Sequence, residues 1–254
     1  MLISDLINIL DTELTPELFK DYCPNGLQID ASFNKPINKI VSGVTACQLL
    51  IDEAVKHQAD VLLVHHGFFW KSDSPTICGA LAKKIATLFN HGISLITYHL
   101  PLDAHQVWGN NVQLAKILNW KVCGGLQPQT TTPIGNWGTV NGSAISLEQF
   151  AQSIETGLNR KPLCISAGDN KIKKIAWCTG AAQRMIKEAL ALGVDAFVSG
   201  EISEDTVHFA RENNIHYISA GHHATERYGV QALGSWIQNT HGIQHLFIDI
   251  NSPV

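Results

Sequence analysis

Val61-Leu62-Leu63-Val64-His65-His66-Gly67 is the stretch on which the fold turns. Four apolar residues run into two histidines and a glycine. A continuous apolar run of this length, closed by turn chemistry, suits a strand buried on both faces of a sheet. The histidines then stand where the strand ends. In open α/β sheets, ligands bind just beyond the carboxyl ends of strands. Two imidazoles there bring two nitrogen donors to one crevice, a donor type that suits zinc, iron, nickel or copper. An isolated His-His pair is more often a strand cap beside a solvated ring. Its reading depends on what the rest of the chain brings to the same sheet edge.

Outward from this stretch, strands and helices alternate. Residues 37–44 read as a strand, and 46–57 as an amphipathic helix with Leu50, Ile51, Ala54 and Val55 turned inward. A helix over 77–90 ends at His91-Gly92, and a strand over 93–99 is followed by Leu100-Pro101-Leu102-Asp103. A further helix is expected from about 110 to 118. This β-α-β-α-β-α order is the signature of a layered, largely parallel sheet. Ahead of it, residues 2–10 carry apolar side chains at helical spacing, Thr15-Pro16-Glu17 reads as a helix start with Thr15 as N-cap, and 27–29 suit a short edge strand. Residues 123–132, rich in Gly, Gln and Thr, read as a linker. Residues 134–140 read as a strand. Ser146-Leu147-Glu148-Gln149 is a capping box that opens a helix to about residue 158, and 163–167 suit another strand.

The pattern then returns. Residues 37–66 align without gaps on 172–201, at a constant offset of 135, with nine identities in 30 positions, among them Lys39/Lys174, Ala46/Ala181 and Asp60/Asp195. The expected fold class is therefore α/β, with two related lobes, largely parallel or mixed sheets, and an internally duplicated βαβαβ unit. Residues 1–125 plus 222–254 are assigned to the first lobe and 126–221 to the second. In the second lobe, Gly200-Glu201 stands in place of His65-His66. Strand 215–220 ends at Gly221, and His222-His223-Ala224-Thr225-Glu226-Arg227 opens the next helix.

Three strand ends thus carry metal-type ligands: His65 and His66, Asp103, and His222 with Glu226. The last two are four residues apart, on one helical face. Nitrogen and oxygen donors with carboxylates able to bridge suit two divalent ions roughly 3.5–4 Å apart. Glu226 is the expected bridge. No cysteine joins the set, which argues against a structural thiolate zinc site. His99 and Glu201 are candidates for outer support. His99 and His105 flank Asp103, and capping or solvation is the ordinary role for each. Fingerprints for dinucleotides, for a phosphate-binding P-loop and for a serine nucleophile elbow are all missing.

Composition sets bounds. Hydrophobic residues make up 45% and charged residues 16%, a core-forming balance poor in surface charge that hints at oligomer contacts. The net charge of −4 gives no indication of a nucleic-acid surface. No apolar run approaches the roughly 18 residues of a membrane span. The first residues do not read as a secretory signal. Six scattered cysteines without a C-x-x-C fit a reducing, cytoplasmic setting.

Asn25-Gly26-Leu27-Gln28, Val64-His65-His66-Gly67, Leu102-Asp103 and Gly221-His222-His223-Ala224-Thr225-Glu226 occur in this order across nearly the whole chain. In this combination the chain resembles the dinuclear-metal proteins known as GTP cyclohydrolase I type 2 homologues, also called the NGG-interacting-factor-three-like family. The resemblance implies a two-lobed α/β subunit in a toroidal homohexamer, with a two-metal site inside the ring. It implies His65, His66, Asp103, His222 and Glu226 as ligands of two divalent ions per subunit, whether zinc, iron or manganese. The family often has His-Thr-Asn-Leu-Asp where this chain has His99-Leu100-Pro101-Leu102-Asp103, so the polar contacts of two positions are not carried over. The large central insertion of longer members is missing. The expected function is a metal-dependent hydrolase in which metal-bound hydroxide attacks an electrophilic carbon or phosphorus. The family label points to hydrolytic opening of the guanine ring of GTP; another nucleotide or a phosphoester stays open as substrate. The alternative is a metal-binding, metal-handling or protein-interaction ring without turnover.

Overall fold

The computed structural model describes all 254 residues. The first part of the chain forms α1 (Ile3–Leu14), β1 (Gly26–Ile29), β2 (Lys39–Thr45), α2 (Gln48–Lys56), β3 (Val61–His66), α3 (Gly79–His91), β4 (Ser94–Thr97) and α4 (Leu100–Ala104). The middle forms α5 (Asn110–Ile117), β5 (Trp120–Gly125), β6 (Asn136–Val140), α6 (Leu147–Leu158), β7 (Leu163–Ile165), β8 (Lys174–Cys178), α7 (Ile186–Ala191), β9 (Ala196–Ser199), α8 (Glu204–Glu212) and β10 (His216–Ser219). Helix α9 (His222–His241) and strand β11 (Gln244–Phe247) complete the chain. Two compact units result: Met1–Trp108 with Gly229–Asn251, and Gly109–Tyr228 with Ser252–Val254.

The first unit holds a five-stranded sheet in the order β1-β4-β3-β2-β11. Strands β4, β3, β2 and β11 are parallel, and β1 runs antiparallel at the edge. Side chains alternate across it as strand geometry demands. Ile40, Val61, Leu63 and Ile96 face Leu6 and Leu10 of α1 and Val230, Leu233 and Ile237 of α9. Val41, Leu62, Val64 and Leu95 face Leu50 and Ile51 of α2 and Ile85 and Leu88 of α3. Helices on both faces explain why β3 reads as an unbroken apolar run. Thr15 does not cap a new helix. It is the left-handed C-cap of α1, with φ 44°, its N–H donating to the Asp11 carbonyl, and only a short 3-10 turn, Pro16–Leu18, follows.

The second unit holds a six-stranded sheet in the order β5-β6-β8-β9-β10-β7, with β8, β9 and β10 parallel and the others antiparallel. Ile175, Trp177 and Val198 pack on Phe150, Ile154 and Leu158 of α6, and Ala176, Phe197 and Tyr217 on Ile186, Ala189 and Ala210 of α7 and α8. The capping box at Ser146 forms as its sequence dictates. Residues 120–125, whose latter part reads as linker, are strand β5, paired antiparallel with β6. That pairing takes the segment from Gly109 onward into the second unit, whereas the sequence reading ended the first lobe at residue 125. The first turns of α9, as far as Tyr228, also pack in the second unit.

The two sheets repeat certain contacts at the offset of 135. Asp60 Oδ2 accepts the N–H groups of Asn38 and Lys39 at 2.8 and 2.9 Å, and Asp195 Oδ2 accepts those of Lys173 and Lys174 at 2.8 Å each. Lys39 Nζ donates to the His57 carbonyl, and Lys174 Nζ to that of Leu192. Each aspartate pins the start of two neighbouring parallel strands.

His245 on β11 supplies a pH-dependent element of the first unit. Its Nε2 lies 2.7 Å from Ser42 Oγ. Burial pushes the imidazole down to about 4 from an ordinary 6.5. Between those values the unfolded chain takes up a proton that the folded chain refuses. This contribution to stability is therefore complete above pH 6.5 and is lost as the pH falls toward 4. Allowing for partial exposure, about 1–2 kcal/mol should disappear across that window in urea unfolding. His245→Gln should flatten the slope there, and an unchanged slope would exclude His245 as its source.

Candidate metal centre

In the first unit the cluster grows from the ends of β3 and β4. His65 is fully buried; its Nδ1 donates to the Tyr98 carbonyl at 2.9 Å, and its Nε2 lies 3.4 Å from Asp103 Oδ1. Tyr98 is itself anchored, its hydroxyl donating to Asp11 of α1. Burial and then Asp11 hold that hydroxyl well above the usual phenol range. Asp103, 6% exposed, sits on α4, which Pro101 helps to start. His66 follows with its Nδ1 3.2 Å from Thr45 Oγ1 and its ring 4.5 Å from that of His65.

His99 belongs to the same cluster. Its ring centroid lies 5.0 Å from that of His65 and 5.6 Å from that of His66, and Trp70 meets it edge-on at 5.0 Å. Its Nδ1 bonds Asp21 Oδ1 at 2.7 Å, and its backbone N–H donates to Asn25 Oδ1. Asp21 also accepts from the N–H groups of Tyr22 and Leu100 and from Asn25 Nδ2. Burial pushes the Asp21 carboxyl up, but the His99 hydrogen bond and charge, with those of Asn25 and Leu100, outweigh it and hold it at about 2. Gln28 ties the strand exit to this loop. Its Nε2 donates to the carbonyls of Pro24 and Phe68, and its Oε1 accepts from the Phe68 N–H. A Cβ on Gly67 would lie 2.3 Å from Gln28 Oε1 and 2.2 Å from Thr97 Oγ1, so only glycine lets the chain pass. His105 turns to other work: its Nδ1 accepts the N–H of Trp108, and its Nε2 lies 3.4 Å from Glu13.

In the second unit the cluster grows from the start of α9. His222 Nε2 lies 3.1 Å from Glu226 Oε2, one helical turn on, and His222 Nδ1 lies 2.7 Å from Glu201 Oε1. Glu226 is 2% exposed. Burial pushes the His222 imidazolium down, but Glu226 and then Glu201 outweigh it and hold the group at about 9. Gly180, at the end of β8, stands directly before this pair. A Cβ there would lie 2.1 Å from Glu226 Oε1 and 3.3 Å from His222 Nε2. The main-chain N–H of His223 is spent on the Val254 carbonyl.

The donor chemistry fits divalent transition ions. In both units an imidazole is held through Nδ1 by an oxygen while Nε2 faces a carboxylate, the arrangement in which outer partners orient metal-binding histidines. Within the first unit, His65, His66 and His99 each bring one ring nitrogen within 4.8 Å of the others. These buried His, Asp and Glu groups can hold metal ions. All five sequence-derived ligand candidates thus fall in these clusters, three in the first unit and two in the second. The sequence reading leaves out Asp21, Asn25 and Gly180. Asn25 lies in a quoted motif, but no periodicity marks Asp21 in its turn or Gly180 after its strand.

A two-unit α/β chain with such clusters defines a class of candidate metalloproteins. The chain belongs to the Duf34/NIF3 (NGG1p interacting factor 3) family, whose model matches residues 1–253. It is 49% identical over 251 residues to the GTP cyclohydrolase 1 type 2 homolog of Pseudomonas aeruginosa, covering 99% of this chain and 98% of that protein. It is 47% identical over 250 residues to the protein of the same name from Vibrio cholerae, covering 97% of each. Among solved structures it is similar to protein ybgI, of unknown function, with a TM-score of 0.94 and 42% identity, both chains being covered completely. No helix is long and apolar enough to cross a membrane.

Proposed function

We propose that this chain is a dinuclear metal-dependent hydrolase acting on a nucleotide, with GTP the first candidate. His65, His66, Asp103, His222 and Glu226 would hold two divalent ions, zinc, iron or manganese, with Glu226 as the bridge. The observation that carries this is the repeated clamp. His65 is held between the Tyr98 carbonyl and Asp103, and His222 between Glu201 and Glu226. Each clamp fixes the orientation of its ring and aims Nε2 at a carboxylate. The opening that Gly180 leaves before Glu226 and His222 also supports it. Divalent ions, when bound, polarise a substrate oxygen and acidify water. The chain's own part is to fix ligand orientation through the Tyr98 carbonyl at His65 and Glu201 at His222. Relatives named GTP cyclohydrolase 1 type 2 homolog support hydrolytic opening of the guanine ring.

The test is elemental mass spectrometry on protein purified without chelator, wild type beside His65→Ala/Glu226→Ala. Near two ions per chain in the first and almost none in the second are expected. Hydrolysis of GTP should follow metal content. Full metal content without turnover of GTP, other nucleotides or phosphoesters would favour the metal-handling reading. No ion in wild type after reconstitution would remove the proposal.

We infer further that the subunits form a toroidal homohexamer in the cytoplasm. A mass other than six chains in light scattering would refute the ring, and fractionation of cells would check the compartment. The contacts repeated at an offset of 135 support descent of the two sheets from one duplicated βαβαβ segment. Loss of that register when the halves of the Pseudomonas and Vibrio relatives are aligned would count against it.

A further inference from the structure

We propose that the cavity between residues 16–25 and the loop at 69–71 of the first unit is a base pocket for a purine with a carbonyl at position 6, selected by Lys71. This rests on the reading of the protein as a nucleotide hydrolase and names the part of the substrate that the chain itself recognises. The cavity measures about 410 Å³, within the range of roughly 300–1,000 Å³ common for small-molecule sites. Phe19 and Phe69, both half-buried, bring aromatic surface to it from two separate segments. Such surface suits a planar heterocycle, because every base has a π-face. Lys71 is the one cationic side chain in the lining, and its Nζ donates to the Asp21 carbonyl. An ammonium donates hydrogen bonds and cannot accept them. It therefore favours the O6 carbonyl of guanine or hypoxanthine and opposes the amino group that adenine carries at that position. The side-chain acceptors on the wall are already engaged. Each Asp21 oxygen accepts two hydrogen bonds, and Asn25 Oδ1 accepts the His99 N–H. Burial and then the Asp21 charge push the Cys23 thiol up to about 12 against the opposing charge of Lys71, so it lines the cavity as a neutral group.

The walls are fastened to each other. The Lys71 N–H donates to the Tyr22 carbonyl at 2.8 Å, and Gln28 Nε2 donates to the carbonyls of Pro24 and Phe68. Phe69 adopts a left-handed φ of 63°, a costly conformation for an aromatic residue and one of the kind that persists at ligand sites. The cavity adjoins the metal-type cluster at two points. Asp21 lines the cavity and bonds His99 Nδ1, and Trp70, between Phe69 and Lys71 in the chain, meets the His99 ring edge-on at 5.0 Å. A purine in the cavity would thus stand beside the residues to which the hydrolytic reading assigns the reaction.

The experiment is isothermal titration of the full chain, as purified, with guanosine, inosine and adenosine, which lack the phosphates that Lys71 could bind instead. Guanosine and inosine should bind at least about 10-fold more tightly than adenosine. Lys71→Met, at an exposed position, should match wild type in circular dichroism and reduce that preference to about twofold or less. Phe19→Ala should weaken all three nucleosides roughly 10-fold, and so should Phe69→Gly, which also relieves the positive φ and keeps the test usable if Phe19→Ala does not fold. No binding of any nucleoside at millimolar concentration, equal affinity for inosine and adenosine, or wild-type affinities in Phe69→Gly would overturn the pocket. Hydrolysis of GTP with KM unchanged in Lys71→Met and Phe69→Gly would remove the pocket and leave the hydrolase. A preference for 6-oxopurines that Lys71→Met abolishes, in a protein that turns over no nucleotide, would keep the pocket and remove the hydrolase.

Discussion

Gly180→Ala is expected to strip the His222–Glu226 cluster of its metal and to destabilise the second unit by about 2–4 kcal/mol. Two effects add. At φ +68°, a side chain at this position costs about 1 kcal/mol in backbone strain. The new Cβ would also stand 2.1 Å from Glu226 Oε1 and 3.1 Å from its Cδ. The backbone cannot retreat. The Gly180 N–H donates to Thr225 Oγ1, and its carbonyl accepts from the Gly200 N–H and Ser199 Oγ. Glu226 has to give way, on a helix whose first turn is bonded back to Gly221 through Thr225. Metal content should fall from two ions to one or fewer. Gly193→Ala is the control, since its φ of +63° is nearly the same and nothing lies within 4 Å of the added Cβ. That variant should lose only the backbone term and keep its metal. Wild-type metal affinity in Gly180→Ala would mean that Glu226 is no ligand.

The contrast between these two clusters shows what a sequence can and cannot disclose. At the offset of 135, Gly180 corresponds to Thr45 and Glu201 to His66. Thr45 fills its position and reaches His66 Nδ1, whereas Gly180 leaves its position open for Glu226. The metal-type residues were legible because they sit at strand ends and at helical spacing, where local periodicity fixes direction. The central strands were legible because burial on both faces makes them apolar throughout. Asp21 was not, because a carboxylate in a turn reads as solvated until the chain folds and four donors from two segments of chain close on it. Strand β5 was not, because its exposed Lys121, Val122 and Cys123 carry no alternation and only pairing with β6 makes it a strand. The unit boundary followed from the same pairing.

Asp21→Asn is expected to cost the first unit about 2–4 kcal/mol, although it changes neither size nor shape. Each Asp21 oxygen accepts two hydrogen bonds: Oδ1 from Tyr22 N at 2.6 Å and His99 Nδ1 at 2.7 Å, Oδ2 from Asn25 Nδ2 and Leu100 N at 2.9 Å each. All four partners are donors. An amide can offer only one oxygen, so whichever way it turns, its NH2 faces two N–H donors in a site that is 6% exposed. The ring of His99 can relieve one clash by moving its proton to Nε2. The midpoint of thermal unfolding should drop by roughly 5–10 °C for a chain of this size. His99→Gln alone should cost less stability, because Asp21 keeps three of its donors. In the double variant the losses should fall short of additive by about 1 kcal/mol or more, the mark of two residues acting through one bond. An Asp21→Asn protein within about 0.5 kcal/mol of wild type in urea unfolding would show that the carboxylate is solvated in solution and does not hold His99.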